Sequence, residues 1–195
     1  MLTLDKIEVP TEKPLFNEPK ATEAAVLFIG TVGERANLVR ILAMMYLVDR
    51  RLIAEFGYGL TDDSYLALEG LVAVPSDLLQ HAFRPFSSLW HRHIETSRHQ
   101  RFRMTHEFER DALSYKEREV VNAVSGAYAT LSNKRFIEAF GREAPEVQEI
   151  GSGPFTLERV LIAVGEDPAV AAETYVEWES LRHIRAGRTK NEHAA

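Results

Sequence analysis

Thirty residues, Ala36 to Tyr65, limit what this chain can fold into: ANLVRILAMMYLVDRRLIAEFGYGLTDDSY. Leu38, Ile41, Leu42, Met45, Val48, Leu52, Ile53 and Phe56 recur at steps of three and four. That spacing draws one apolar stripe along a helix of 3.6 residues per turn. Asp49 lies in the same stripe, four residues after Met45 and three before Leu52. A carboxylate placed there is desolvated, so it needs hydrogen-bond donors or a proton of its own. Gly57-Tyr58-Gly59 breaks the helix into an acidic turn that ends on Tyr65. The pattern predicts that Asp49 ties the helix to the Thr61–Tyr65 turn, with the Tyr65 hydroxyl as its first partner.

The rest of the chain must cover this helix. With 45% hydrophobic residues in 195, one core can be built and a single domain is the simplest organisation. Pro10, Pro14 and Pro19 punctuate the start, so residues 1–16 read as an extended arm. Asn17 is an N-cap candidate with Pro19 in the first turn behind it. Gly30 and Gly33 weaken the end of that first helix. Further on, Gly70 and Pro75 interrupt the chain, and Ser76 caps a short helix that Pro85 stops.

From Leu89 to His106 the period changes. Trp90 and Ile94 alternate with His91, His93 and Glu95, and Phe102 and Met104 alternate with Arg101, Arg103 and Thr105. Two such runs about a polar Ser97-Arg98-His99 link predict a β-hairpin. Ser114 and Glu117 form a capping box, S-x-x-E. Ser132 caps the next helix, with Leu131 stapled to Phe136 and Gly141 as its stop. Pro145 to Gly151 gives one further turn. Phe155-Thr156 opens another helix that Gly165 ends, and Asp167-Pro168 starts the last one. That helix runs to about Gly187, with Arg185, Arg188 and Lys190 near its negative pole and residues 188–195 as a tail.

The expected fold is therefore mainly α: a bundle of about six or seven helices over residues 17–187, with one small hairpin at about 89–106. No βαβ alternation supports a doubly wound sheet. The chain has no cysteine, which excludes disulfides and sulfur-based zinc sites. The N-terminus has no basic stretch leading into an apolar one, and no apolar run reaches the roughly 18–20 residues that span a bilayer. A cytoplasmic protein is expected. The net charge of −6 argues against a surface devoted to nucleic acid.

Five elements in order carry a resemblance. They are YLVDR (Tyr46 to Arg50), the Phe56–Gly59 break, LTDDSYLAL (Leu60 to Leu68), the Leu113–Glu146 segment of two linked helices, and GPFTLERVLIAVGEDPAVAAE (Gly153 to Glu173). Together they resemble the Panacea domain family, the SocA-like antitoxins and their phage-associated relatives, over roughly residues 17–185. Asp49, Arg50, Thr61, Asp63 and Tyr65 fall on the family's Y-x-x-D-R helix and its T-x-D-x-Y turn. Gly70-Leu71-Val72 stands where the family usually has G-P-V. The resemblance implies a type II antitoxin that neutralises a cognate protein toxin by direct contact. It also implies, for some members, delivery of the toxin to a cytosolic protease.

Other residues offer chemistry of their own. Asp62, Asp63 and Glu69 make an acidic cluster whose spacing fits no EF-hand loop, so a solvated turn is expected. His91, His93, His99 and His106 include a His-x-His pair that can ligate zinc, but no H-E-x-x-H helix accompanies it. Gly30 to Arg35 lacks the G-K-[ST] of a phosphate loop, and no G-x-S-x-G elbow is present. No catalytic residue, metal or cofactor is assigned. Arg84, Arg92, Arg98, Arg101 and Arg103 surround Trp90 and Phe102. Arginine and aromatic side chains are enriched at protein-binding hot spots and at RNA-binding surfaces. Arg84, Trp90, Arg92, Arg101, Phe102 and Arg103 are therefore the expected partner contacts, with an RNA-binding module as the alternative use.

Overall fold

A computed structural model describes residues 16–33, 36–83, 89–96, 101–105 and 111–191. Among them are nine helices and two three-stranded antiparallel sheets. The mainly α expectation holds, but the strands exceed one hairpin and the helices exceed seven.

The first helix, α1 (Glu18–Val32), starts where the sequence places it. Asn17 accepts from the Lys20 N–H and Pro19 stands in the first turn. It runs through Gly30 to Gly33. Phe16, assigned to the arm, is buried against the His81 ring instead.

Ala36–Asn37 is a short strand, β1, and the central helix α2 (Leu38–Phe56) follows from Asn37 as its cap. Gly57 closes α2 in the left-handed region at φ 76°, a conformation that costs glycine nothing. The stripe is buried as drawn, except for Phe56, which is 37% exposed. Ala43, Met44, Tyr46 and Leu47 are buried too, so α2 is enclosed on most of its circumference. The α1 helix, the α5 helix (Tyr115–Tyr128) and the β3 strand (Val72–Pro75) pack around it.

β2 (Tyr65–Leu68) and β3 (Val72–Pro75) form a hairpin with Tyr65 opposite Pro75 and Leu68 opposite Val72. Glu69 and Gly70 turn it with φ 54° and 65°, the left-handed pair of a hairpin turn. β6 (Gly153–Phe155) adds to the other edge of β2, giving the order β3-β2-β6. This sheet is not evident in the sequence, where its runs of three and four residues are too short for a period.

The predicted hairpin at 89–106 is corrected in two ways. Leu89–His93 is a helical turn, α4, and only β4 (Ile94–Thr96) and β5 (Arg101–Met104) pair as strands. Trp90 and Ile94 are both buried, and a spacing of four keeps two side chains together on a helical turn as well as on a strand. β1 then pairs with β5, placing Ala36 opposite Phe102, so the sheet order is β1-β5-β4.

α3 (Ser76–Phe83) begins on Ser76, which is a helical residue rather than the cap. α5 (Tyr115–Tyr128) has the predicted capping box, both bonds formed between Ser114 and Glu117. α6 (Asn133–Glu143) is capped by Ser132 and runs past Gly141. A Cβ at Gly141 would meet only the amide end of Gln148 in α7 (Pro145–Ile150), an exposed side chain that can turn aside, so the position does not demand glycine. α8 (Leu157–Ala163) and α9 (Pro168–Asn191) complete the chain. Asp167 caps α9 through the Ala169 N–H at 2.9 Å. α9 absorbs residues 188–191, which the sequence assigned to a tail. Among the described residues, no helix is long and apolar enough to cross a membrane.

Candidate functional site

Asp49 is fully buried on α2 and faces the turn that follows the helix. Its Oδ1 accepts the Leu60 N–H at 2.6 Å and the Thr61 N–H at 2.9 Å. Its Oδ2 accepts the Thr61 hydroxyl at close range and the Tyr65 hydroxyl at 3.4 Å. The expected tie between helix and turn is present, but its weight falls on Leu60 and Thr61. Tyr65 is the most distant donor. Burial pushes the Asp49 carboxyl up to about 7, and the bonds from Thr61 and Leu60 pull the other way. The turn is held from its far side as well, because the Asn17 N–H donates to the Thr61 carbonyl at 2.8 Å.

The neighbouring Arg50 faces elsewhere. Its Nε donates to Glu146 Oε1 at 2.8 Å, and the Tyr46 hydroxyl donates to the same oxygen at 2.6 Å. Glu146 is buried at the start of α7, ninety-six residues from Arg50. Desolvation and then Glu146 hold the Tyr46 hydroxyl well above its usual range. The Tyr46 ring meets Tyr65 edge-on at 5.1 Å, Phe155 at 5.9 Å and Phe140 at 5.9 Å. Tyr46 and Arg50 thus join α2 to α6, α7 and both partners in the β2–β6 pair.

Asp63 is the main correction to the acidic turn. It is buried, not solvated, and its two oxygens accept the Asp77 N–H at 3.0 Å and the Leu78 N–H at 2.9 Å. It is the N-terminal cap of α3, supplied from thirteen residues before that helix begins rather than from Ser76. Burial, with Asp77 adding to it, raises the Asp63 carboxyl well above the usual carboxylate range. Asp62 is half-buried and Glu69 exposed. Among the described residues no group of three potential ligands could hold a metal ion.

The residues expected at a partner surface separate. Trp90 and Phe102 are both fully buried, their rings edge-on at 5.4 Å. They form the core between α4 and β5 and offer no face to a partner. The alternation read in the sequence grouped them on one side but did not say which side faces inward, and Trp90 reaches that side from a helical turn. Arg92 is exposed on α4. Arg84, Arg98, His99 and His106 lie outside the described residues, as do the side chains of Arg101 and Arg103.

A different surface has the exposed aromatics. A cleft of about 510 Å³ opens between the C-terminal half of α2 and the start of α5. Arg51, Glu55 and Phe56 line one wall, and Lys116, Glu119 and Val120 the other. Phe56 is 37% exposed and its ring lies 6.2 Å from that of Tyr58, itself 39% exposed. Tyr115, beside Lys116, is 80% exposed. Arg51 is fixed in place by Glu143, with Nε to Oε1 at 2.5 Å. The Tyr128 hydroxyl also donates to Glu143, and that hydroxyl is pushed up to about 12 by burial and by Glu143. Phe56 in the sequence looked like the last residue of the stripe. Its place beside Gly57, at the end of the helix, is the signal that could have marked it as exposed.

Compared with protein-family models, with the curated proteins and with the solved structures, the chain finds no match in any of the three.

Proposed function

We propose that this chain is an antitoxin that neutralises a cognate protein toxin by direct binding, and that the toxin inserts a segment into the cleft between α2 and α5. The cleft carries the reading. It presents Phe56 beside Arg51, Lys116, Glu55 and Glu119, with Tyr58 next to Phe56 at its edge, a mixture of aromatic anchor and charged rim suited to a protein segment. Its volume suits one or two side chains of a loop or helix end. The two acids of the sequence motif are already used in the scaffold, Asp49 by the turn and Asp63 by α3, and Glu146 is likewise held by Arg50 and Tyr46. The resemblance to the SocA-like antitoxins supplies the class of partner. The RNA-binding alternative loses its stacking platform with Trp90 and Phe102 in the core.

The test is co-expression with the product of the adjacent gene. A stable complex and relief of growth arrest are expected. Phe56→Asp combined with Tyr58→Ala should keep the wild-type melting temperature and lose both. Absence of any complex or relief sinks the antitoxin reading. Loss of toxin only when a cytosolic protease is present would make the chain an adaptor that delivers it.

A further inference from the structure

The α2 helix ends with a charge of the wrong sign. Its last turn has no basic residue and one acid, Glu55. The carbonyls at a helix C-terminus form a negative pole, which favours lysine or arginine and disfavours a carboxylate. The bond that closes α2, from the Gly57 N–H to the Ile53 carbonyl at 3.0 Å, is the single bond of the simpler left-handed cap. Among the described residues, no backbone N–H bonds to the carbonyls of Ala54, Glu55 or Phe56. These are orphan acceptors of the kind that every helix end leaves for an outside donor.

The other three charges that line the cleft are matched. Arg51 is held by both oxygens of Glu143, at 2.5 and 2.9 Å. Lys116 stands 3.7 Å from Glu119 on the opposite wall. Glu55 lines the same cleft and has no ion pair among the described residues. Next to it are the exposed rings of Phe56 and Tyr58. An aromatic face attracts a cation placed within about 6 Å of its centroid.

A carboxylate, open carbonyls and aromatic faces converge on one kind of ligand. A guanidinium is flat and lies on a ring, meets a carboxylate with a planar fork of N–H groups, and has further donors for carbonyls. An ammonium group has three donors and no flat face. We infer that the mouth of the cleft at the end of α2 is an arginine site: an arginine on the protein segment that enters the cleft stacks on Phe56 or Tyr58, pairs with Glu55 and supplies the cation that this helix end lacks. The inference rests on the cleft being the partner surface, and it names the side chain that the partner brings there. Ala54, Val120 and Ala123 line the rest of the cleft and suit an apolar neighbour of that arginine.

The test is a titration of the full chain, isotopically labelled and followed by NMR, with acetyl-arginine amide. The Glu55, Gly57 and Tyr58 amides should move, with a Kd of about 1–10 mM, the scale of a single side chain. Acetyl-lysine amide should bind at least about threefold more weakly. Acetyl-citrulline amide, the same shape without the charge, should leave these amides in place. Glu55→Gln should weaken arginine binding about fivefold or more. Glu55→Arg should abolish it and, by placing a cation at the negative pole, raise the melting temperature by about 1–3 °C. Equal binding of arginine and citrulline, binding unchanged by Glu55→Gln, or shifts confined to another surface each overturns the inference. So does a toxin complex that Glu55→Arg leaves at wild-type strength. Absence of any toxin complex sinks the antitoxin reading instead, and the titration still decides the arginine site.

Discussion

α2 and α9 are helices of comparable length, 19 and 24 residues, and they are stabilised in opposite ways. α2 buries twelve of its residues, including a carboxylate. Its fold is decided by what surrounds it, and three of its polar groups are satisfied by distant elements: Asp49 by the turn, Arg50 by α7, Tyr46 by the same glutamate. α9 has Ala171 as its buried residue among those described. It leans on α8, fixes itself through Arg182 and Asp77, and leaves Val170, Val176, Leu181 and Ile184 exposed. The contrast separates two uses of a helix. One is a hub whose side chains hold the molecule together. The other is a display whose side chains can be changed at little cost to the fold.

The largest effect that would break this contrast belongs to Asp49. Asp49→Ala orphans the Leu60 and Thr61 N–H groups in the core. Each buried donor left unmade costs about 1–3 kcal/mol, so a loss of about 3 kcal/mol is expected in urea unfolding at pH 6. A variant as stable as wild type that no longer binds the toxin would make Asp49 an interface residue.

A second, smaller effect is in the pH dependence. The folded state holds the Asp49 proton to about pH 7, against an ordinary carboxyl at 3.8. Protonation is thus favoured by folding. The contribution is whole below about pH 4 and is lost as the pH rises to about 7. The difference between wild type and Asp49→Asn should therefore change by at most about 1.4 kcal/mol per pH unit across that window, with wild type losing ground as pH rises. Parallel stability curves for the two proteins would show that Asp49 carries no such proton.

The smallest effect is on α9. Leu181→Ala should change monomer unfolding by under about 0.5 kcal/mol, as exposed positions do. A loss of 2 kcal/mol or more, the scale of a core truncation, would mean that this face is covered within one chain.

What the sequence reveals follows the same division. Where a cap is local chemistry it could be read directly: Asn17, Ser132, Asp167 and the Ser114–Glu117 box act where predicted, whereas Ser76 does not. The apolar stripe of α2 and the partner-seeking acid within it were likewise visible as period and burial. Long-range pairings left no local trace. β6 joins β2 across more than eighty residues, Glu146 answers Arg50 from ninety-six away, and Asp63 caps a helix that begins thirteen residues later. Trp90 and Phe102 show the remaining gap. The expected strand alternation does not hold at Trp90, which sits on a helical turn, and an arginine-rich neighbourhood made the inside look like the outside.

Glu18 and Glu23 of α1 have a consequence for how the chain can vary. Glu18 accepts the Trp90 N–H at 2.9 Å and reaches His81, while Glu23 accepts the Ala112 and Leu113 N–H groups at 2.8 and 2.9 Å and pairs with Arg118. One helix therefore fastens the excursion that carries α4, β4 and β5 at both its departure and its return. With both ends clipped to a rigid rod, a loop lengthened between them adds only the slowly growing entropy of a longer closure, about 0.6 kcal/mol for each doubling. The clips matter because that segment carries Trp90, Ile94 and Phe102 into the core: α1 thus anchors, at two points five residues apart on one rod, a stretch of chain that the core cannot do without.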